Sequence, residues 1–288
     1  MKEKLKEVFI EIDEHYKSVI IGDFDTDKFL CVIRAAFAKN YEFNLLCNNL
    51  TNSEDSFFLM PSLRGICEDL ITIKYLKEHI NVDWDKLITL LTTKSTFEGT
   101  IVQKAFFDHY KPEQIILQFK DAEKELASMT DQIKTIFQKN GLKGDKEFPS
   151  VSHMATDAKL IKLYDYLYYA TSKTVHFEPG MLLRLGWAKD MTSTIFTFST
   201  KNFNKYYFDF CSYYSAFLFV EFYKAFKKDL GLDTKIKGQI KKIQEILDDQ
   251  LRMPEIVTFE ECNVKPPSII TQLLTKASKR VSDKNNNR

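Results

Sequence analysis

The sequence predicts an all-α fold, a multi-helix bundle of long antiparallel helices, and three observations carry that prediction. Glycine and proline number only 9 and 7 in 288 residues, about half their usual shares of roughly 7% and 5%, so few positions interrupt a helix. Apolar residues recur at intervals of three and four along most of the chain, which places them on one face of a helix. An alternating, β-branched pattern is confined to residues 192–199, so at most one short β-hairpin or extended segment is expected there.

The first helix is expected over Lys2 to Ile21, where Val8, Ile12, Tyr16 and Val19 or Ile20 share a face and Gly22 stops it. Asp25 or Thr26 then caps a second helix whose buried face runs from Phe29 through Phe37 and Tyr41 to Cys47. After the polar break 48–53, a third helix reaches about His79, and Pro61 marks its start or a kink. Asp83 reads as the cap of a fourth helix from Trp84 to about Tyr110. Lys111-Pro112-Glu113 reads as the opening of a fifth, because proline suits the first helical turn.

Asn140-Gly141-Leu142-Lys143-Gly144-Asp145 is the clearest internal loop, and residues 141–151 are the candidate hinge. A Tyr-rich helix from Leu160 to about Val175 follows, and Pro179-Gly180 should end that local order. Phe203 to Leu230 is the most aromatic helix and Lys235 to Leu251 a charged amphipathic one. These elements group as one helical domain over 1–230, a C-terminal helical extension over 231–270, and a flexible polar and basic tail over 271–288, which lacks the apolar content to pack.

Charge and cysteine narrow the function classes. Lys and Arg total 41 against 40 Asp and Glu, so no global field draws the chain to nucleic acid or an anionic membrane, although a local basic patch is compatible with that balance. The five cysteines, Cys31, Cys47, Cys67, Cys211 and Cys262, are scattered and form no C-x-x-C pair. They read as thiols in a reducing, cytoplasmic compartment rather than as a disulfide framework or a zinc site. The apolar stretch from Tyr206 to Tyr223 contains Asp209 and Glu221 and is aromatic rather than aliphatic, so no membrane span is expected. Gly-rich phosphate loops, H-E-x-x-H and G-x-S-x-G are missing from the sequence, which argues against the common nucleotide hydrolases, metalloproteases and serine hydrolases. No cofactor or metal is expected.

Two polar clusters stand out. In Pro61-Ser62-Leu63-Arg64-Gly65-Ile66-Cys67-Glu68, Arg64 and Glu68 are four apart beside a buried stripe. Arg preceding Glu is the weaker order for simple helix support. The pair is either a half-buried tie between helices or an anion-binding guanidinium oriented by Glu68. In the second cluster, Asp165, Tyr169, Ser172 and His176 recur every three or four residues along one side of a helix. His176 is either a C-terminal cap or a proton-handling group. Asp165 is too distant along the helix to orient His176, so no catalytic triad is assigned. The aromatic helix itself reads as core rather than as a base-stacking platform, because its rings cover more than one face.

These same clusters carry a resemblance. Leu63-Arg64-Gly65-Ile66-Cys67-Glu68-Asp69-Leu70 followed by Tyr-rich sequence and Ser172-Lys173-Thr174-Val175-His176 resembles the bacterial domain-of-unknown-function family DUF5677 over roughly residues 25–225. That resemblance implies an all-helical fold and no settled activity. A more distant similarity is to the helical HEPN superfamily, whose active members are metal-independent ribonucleases of toxin and phage-defence systems. Their signature sets a His a few residues after an Arg on one helix, and this sequence departs from it, because Arg64 and His176 would have to converge from different helices.

Two functions follow as expectations. One is a binding or effector protein acting on RNA or a nucleotide through Arg64, Glu68, Ser172 and His176. The other is a noncatalytic module that binds a protein partner, with homodimerisation a further possibility and the polar cluster merely structural.

Overall fold

A computed structural model describes the chain except for residues 50–52, 143–147, 177, 189–193, 260–264 and 287–288. Among the described residues it is all-α, with eleven α-helices, one 3-10 helix and a two-stranded hairpin. The helices are α1 Lys2–Val19, α2 Lys28–Asn49, α3 Met60–His79, α4 Trp84–Tyr110, α5 Ala122–Lys139, α6 Val151–Asp157, α7 Ile161–Val175, α8 Pro179–Leu183, α9 Asn204–Leu230, α10 Thr234–Asp248 and α11 Ile269–Asn286. The 3-10 helix Ser53–Leu59 precedes α3, and β1 Gly186–Ala188 pairs antiparallel with β2 Phe196–Phe198. No helix is long and apolar enough to cross a membrane among the described residues.

The chain forms two compact units. The first comprises 1–19, 37–67 and 166–288, and the second 20–36 and 68–165. In the first, α1 packs on α9 and α10, and α9 also packs on the 3-10 helix. The centre of that unit is aromatic. Phe219 of α9 lies 5.3 Å from Phe9 of α1 and 5.1 Å from Phe37 of α2, ring centre to ring centre, and all three are excluded from solvent. Tyr41 joins them and donates its phenol hydrogen to the Phe9 carbonyl at 2.9 Å. The aromatic helix is therefore core, as its all-round ring coverage predicts.

A polar seam crosses this core. Asn40, Asn44 and Asn48 recur every four residues on α2 and are fully buried. Asn44 donates to the Ser215 carbonyl of α9 at 3.2 Å, and Ser212 Oγ lies 3.4 Å from Asn48 Oδ1. Buried amides need partners, so this seam fixes which turn of α2 faces which turn of α9.

In the second unit, α4 and α5 form an antiparallel hairpin. Asn140 closes its end, accepting from the backbone N–H groups of Asn81 and Val82 at 2.7 and 3.1 Å. Phe29 stacks on Trp84 with ring centres 3.9 Å apart. Gly22 serves close approach rather than helix termination: a Cβ there would stand 2.6 Å from Cys31 Sγ.

Several local expectations are corrected. Lys111-Pro112-Glu113 does not open a helix; Gln114 N–H bonds the Lys111 carbonyl at 3.0 Å in a turn, and α5 begins only at Ala122. The same fixed φ that suits a helical first turn suits the second position of a β-turn. Asp83 does precede α4, but at φ 64° its side chain makes no cap; the carboxylate instead accepts from Lys139 at 2.9 Å. The cap of α2 is Asp27, which accepts from Leu30 N–H at 2.8 Å, while Asp23 organises the preceding turn. Pro179-Gly180 starts α8 rather than ending order, with Glu178 as its cap. Residues 269–286 form α11, a helix that the sequence reading did not include. The expected hinge falls mainly on residues 143–147, outside the described residues, as do Cys262 and the first part of the extended stretch at 192–199.

Candidate functional site

Pro61 lies in the first turn of α3, where its missing N–H costs no hydrogen bond, and so the helix presents Arg64 one turn in. Leu63, Ile66 and Cys67 on either side are buried and lock the rotation of this turn, leaving Arg64 half-buried beside them. On α7, Leu167, Ala170 and Thr171 are buried. The opposite face carries Tyr168, Tyr169, Ser172 and, just past the helix end, His176. The His176 backbone N–H bonds the Ser172 carbonyl at 2.9 Å, which fixes the His176 backbone just after the last helical residue.

The two clusters meet. Arg64 Nη1 lies 3.4 Å from His176 Nε2 although 112 residues separate them, and the contact is solvent-exposed. A guanidinium has only donors, so a hydrogen bond across this contact requires Nε2 to be the acceptor. The Arg64 guanidinium also lies over the Tyr168 ring, 4.5 Å from its centre. A second cation is near, since a Cβ at Gly65 would be 3.5 Å from Lys39 Nζ. Lys173 stands 4.1 Å over the Tyr169 ring and donates to its hydroxyl at 2.8 Å.

The result is two cation–ring pairs, Arg64 on Tyr168 and Lys173 on Tyr169, with the His176 imidazole against the first of them. Cations supply attraction for phosphate, and aromatic faces offer stacking to a base. Ser172 contributes its backbone carbonyl to the position of His176, and Glu68 follows Arg64 by one turn and is half-buried. Tyr168 is the residue that reading the sequence overlooked. Its signal was the spacing 168, 172, 176, an unbroken run of four-residue steps that leads to His176.

Three cavities of about 870, 420 and 400 Å3 among the described residues are lined by other side chains. The Arg64–His176 pair is therefore a surface feature and not the wall of one of these cavities. The remaining histidines include two with local roles: His15 lies 3.7 Å from Asp233, and His153 lies 3.3 Å from Asp157 one turn along α6.

Among known families, one of unknown function, DUF5677, matches residues 29–192, a span that includes Arg64, Glu68, Ser172 and His176. No curated protein and no solved structure matches the chain.

Proposed function

The chain belongs to the DUF5677 family, and we propose that it is an effector that binds RNA or a nucleotide, and cleaves RNA, through the Arg64–His176 surface. The observation that carries this reading is the 3.4 Å approach of guanidinium to imidazole above the Tyr168 ring. An incoming phosphate competes for Arg64, because two N–H groups of a guanidinium match two phosphate oxygens. That exchange frees Nε2 of His176 to take the proton of a ribose 2′-hydroxyl. The 2′-oxygen then attacks phosphorus, and the bond to the 5′-oxygen breaks. The leaving oxygen regains a proton from the imidazolium, and Arg64 balances the charge on the pentacoordinate phosphorus. The products are a 2′,3′-cyclic phosphate and a 5′-hydroxyl. This is the chemistry of HEPN-like ribonucleases of the toxin and phage-defence kind. A cytoplasmic setting agrees with the free thiols of Cys31, Cys47 and Cys211.

Incubation of the protein with end-labelled single-stranded RNA tests the proposal. Cyclic-phosphate termini should form, and His176→Ala and Arg64→Ala should each abolish them. Unchanged cleavage in either variant removes the assignment.

A second reading, a noncatalytic module for a protein partner or a second copy, draws on α11. Its Ile269, Ile270, Leu273 and Leu274 are all exposed, more contiguous apolar surface than scattered side chains explain. Under that reading no RNA is turned over, and Leu273→Asp with Leu274→Asp lowers the mass found by light scattering.

A further inference from the structure

Along α4, in the second unit, Val102, Phe106 and Tyr110 follow one another at four-residue steps and are 69, 53 and 68% exposed. Steps of four keep side chains on one side of a helix, and the Phe106 and Tyr110 rings lie 4.7 Å apart. The opposite side of α4 carries Phe97, which stacks on Phe119 at 4.3 Å between ring centres. Gln118 and Phe119 share a cavity lining with Thr100 and Lys104, so the chain after Tyr110 returns along the last turns of α4. That return carries Ile115 at 98% and Leu117 at 62% exposure. Single apolar side chains are ordinary on a surface, but five at one end of a hairpin mark an interaction site. We propose that this face of α4 pairs two copies of the chain, antiparallel, about a two-fold axis near Val102. The proposal rests neither on the Arg64–His176 surface nor on α11.

The face is self-complementary in size. Ser95 and Gly99 are exposed on the same side of α4, one and two turns before Val102 and Phe106. A Cβ built at Gly99 meets no atom within 4 Å, so the helix has an open notch there. Glycine inside a helix weakens it relative to alanine, and a seat for a second copy gives this one a purpose. When Phe106 of one copy lies over Gly99 of the other, antiparallel register brings Tyr110 over Ser95, and the two-fold axis repeats both contacts. Val102 then sits at the axis against its own counterpart. A parallel pair would set Phe106 against Phe106 and leave both notches empty.

Charge favours a second copy over other partners. From Lys94 to Glu113 the sequence has Lys94, Lys104 and Lys111 against Glu98, Asp108 and Glu113, and Lys94–Glu98 and Lys104–Asp108 pair within the helix. Such a segment has no excess charge to attract nucleic acid or an anionic membrane. The antiparallel register also brings His109 of each copy within about a turn of Glu98 of the other.

The available area sets the strength. Residues 95–110 span about 24 Å at roughly 1.5 Å per residue, and Phe106 and Tyr110 each offer on the order of 100 Å2. With Val102, Ile115 and Leu117 added, each copy offers on the order of 500 Å2, or about 1,000 Å2 for the pair, the low end for a specific interface. A reversible dimer of about micromolar affinity is the expectation.

Sedimentation equilibrium of the full chain over about 1–100 µM tests the pairing. A monomer–dimer equilibrium should appear within that range. Gly99→Gln places a good helix former where a Cβ touches nothing, yet fills the notch. It should weaken dimerisation by about tenfold or more, with the thermal midpoint at low concentration unchanged or raised. Phe106→Gln should weaken dimerisation similarly, with far-ultraviolet circular dichroism reading the fold; should that variant unfold, Gly99→Gln alone decides.

Leu273→Asp with Leu274→Asp should leave the dimer midpoint unchanged, which separates this face from α11. The inference is overturned if the chain stays monomeric throughout the range, if Gly99→Gln pairs as tightly as the parent, or if the α11 substitutions alone abolish the dimer. Phe106-dependent binding to phosphatidylcholine vesicles by a chain that does not pair also overturns it, and assigns the face to lipid.

Discussion

Replacing Arg64 with alanine separates a functional guanidinium from a structural one, and its contacts with His176 and Tyr168 set the expected scale of the loss. Arg64 is half-buried and its contact with His176 is exposed. A cation over an aromatic ring at such a site contributes about 0.5–1 kcal/mol. The contact with the imidazole at 3.4 Å is long and adds about 0.5–1 kcal/mol. Loss of these two contacts in Arg64→Ala should therefore destabilise by about 1–2 kcal/mol. At about 2–4 °C per kcal/mol for a protein of this size class, the thermal midpoint falls by about 2–8 °C. Urea unfolding followed by circular dichroism measures the stability loss, and RNA cleavage on the same sample measures activity. Activity should vanish while the fold survives. Arg64→Lys sharpens the test: it keeps the charge but not the planar fork, so RNA binding should persist in part while cleavage does not recover. A loss above about 4 kcal/mol is of the size seen when a buried charge partner is removed. It would show that Arg64 pins the helices, and the functional reasoning would fail.

Phe219→Ala should destabilise by about 3–5 kcal/mol in urea unfolding, since it empties the centre of the ring cluster formed with Phe9 and Phe37; a loss below about 1 kcal/mol would refute that packing. Gly186→Ala should disrupt the hairpin, because the new methyl meets the Phe198 ring at 2.9 Å and the Leu183 carbonyl at 3.1 Å; a changed near-ultraviolet signal from Trp187 reports it. Burial pushes the Cys47 thiol up to about 12 from an ordinary value near 8.5. The folded state therefore holds this proton where the unfolded chain loses it, so the thiol's contribution to stability is complete below the unfolded value and declines as pH rises from there towards about 12. Alkaline unfolding should begin at higher pH in Cys47→Ala, and the native thiol should resist alkylation at pH values where an exposed cysteine reacts.

The long helices were legible in the sequence because their signals are internal. Nearly the whole span of α9 was read from its apolar, aromatic content and the scarcity of breakers, while the start of α4 at Trp84 was read from Asp83, which precedes the helix without capping it. Prolines were less readable: Pro61 and Pro179 both lie at helix starts, but Pro112 sits in a turn, and one fixed φ serves all three. Asp83 and Asp121 precede helices in left-handed backbone, a conformation that residue type alone does not reveal.

At the site, Arg64 and His176 could be singled out by chemistry, but their approach depends on how α3 and α7 pack, which no local pattern encodes. Tyr168 was hidden among neighbouring tyrosines until the guanidinium marked which of them mattered. The cavity of about 870 Å3 beside Trp187 was invisible for a similar reason, since its walls come from a hairpin and a helix whose facing is tertiary.

The interleaved course of the backbone bears on how this protein can be handled. Phe37 and Tyr41 lie inside the span 29–192 shared with the family, yet the rings that shield them, Phe9 and Phe219, lie outside it. A polypeptide trimmed to the shared span would leave out α1 and α9 and place those side chains in water, where they would drive precipitation. Recombinant expression should therefore begin from all 288 residues, with α1 and α9 treated as inseparable from the segment that defines the family.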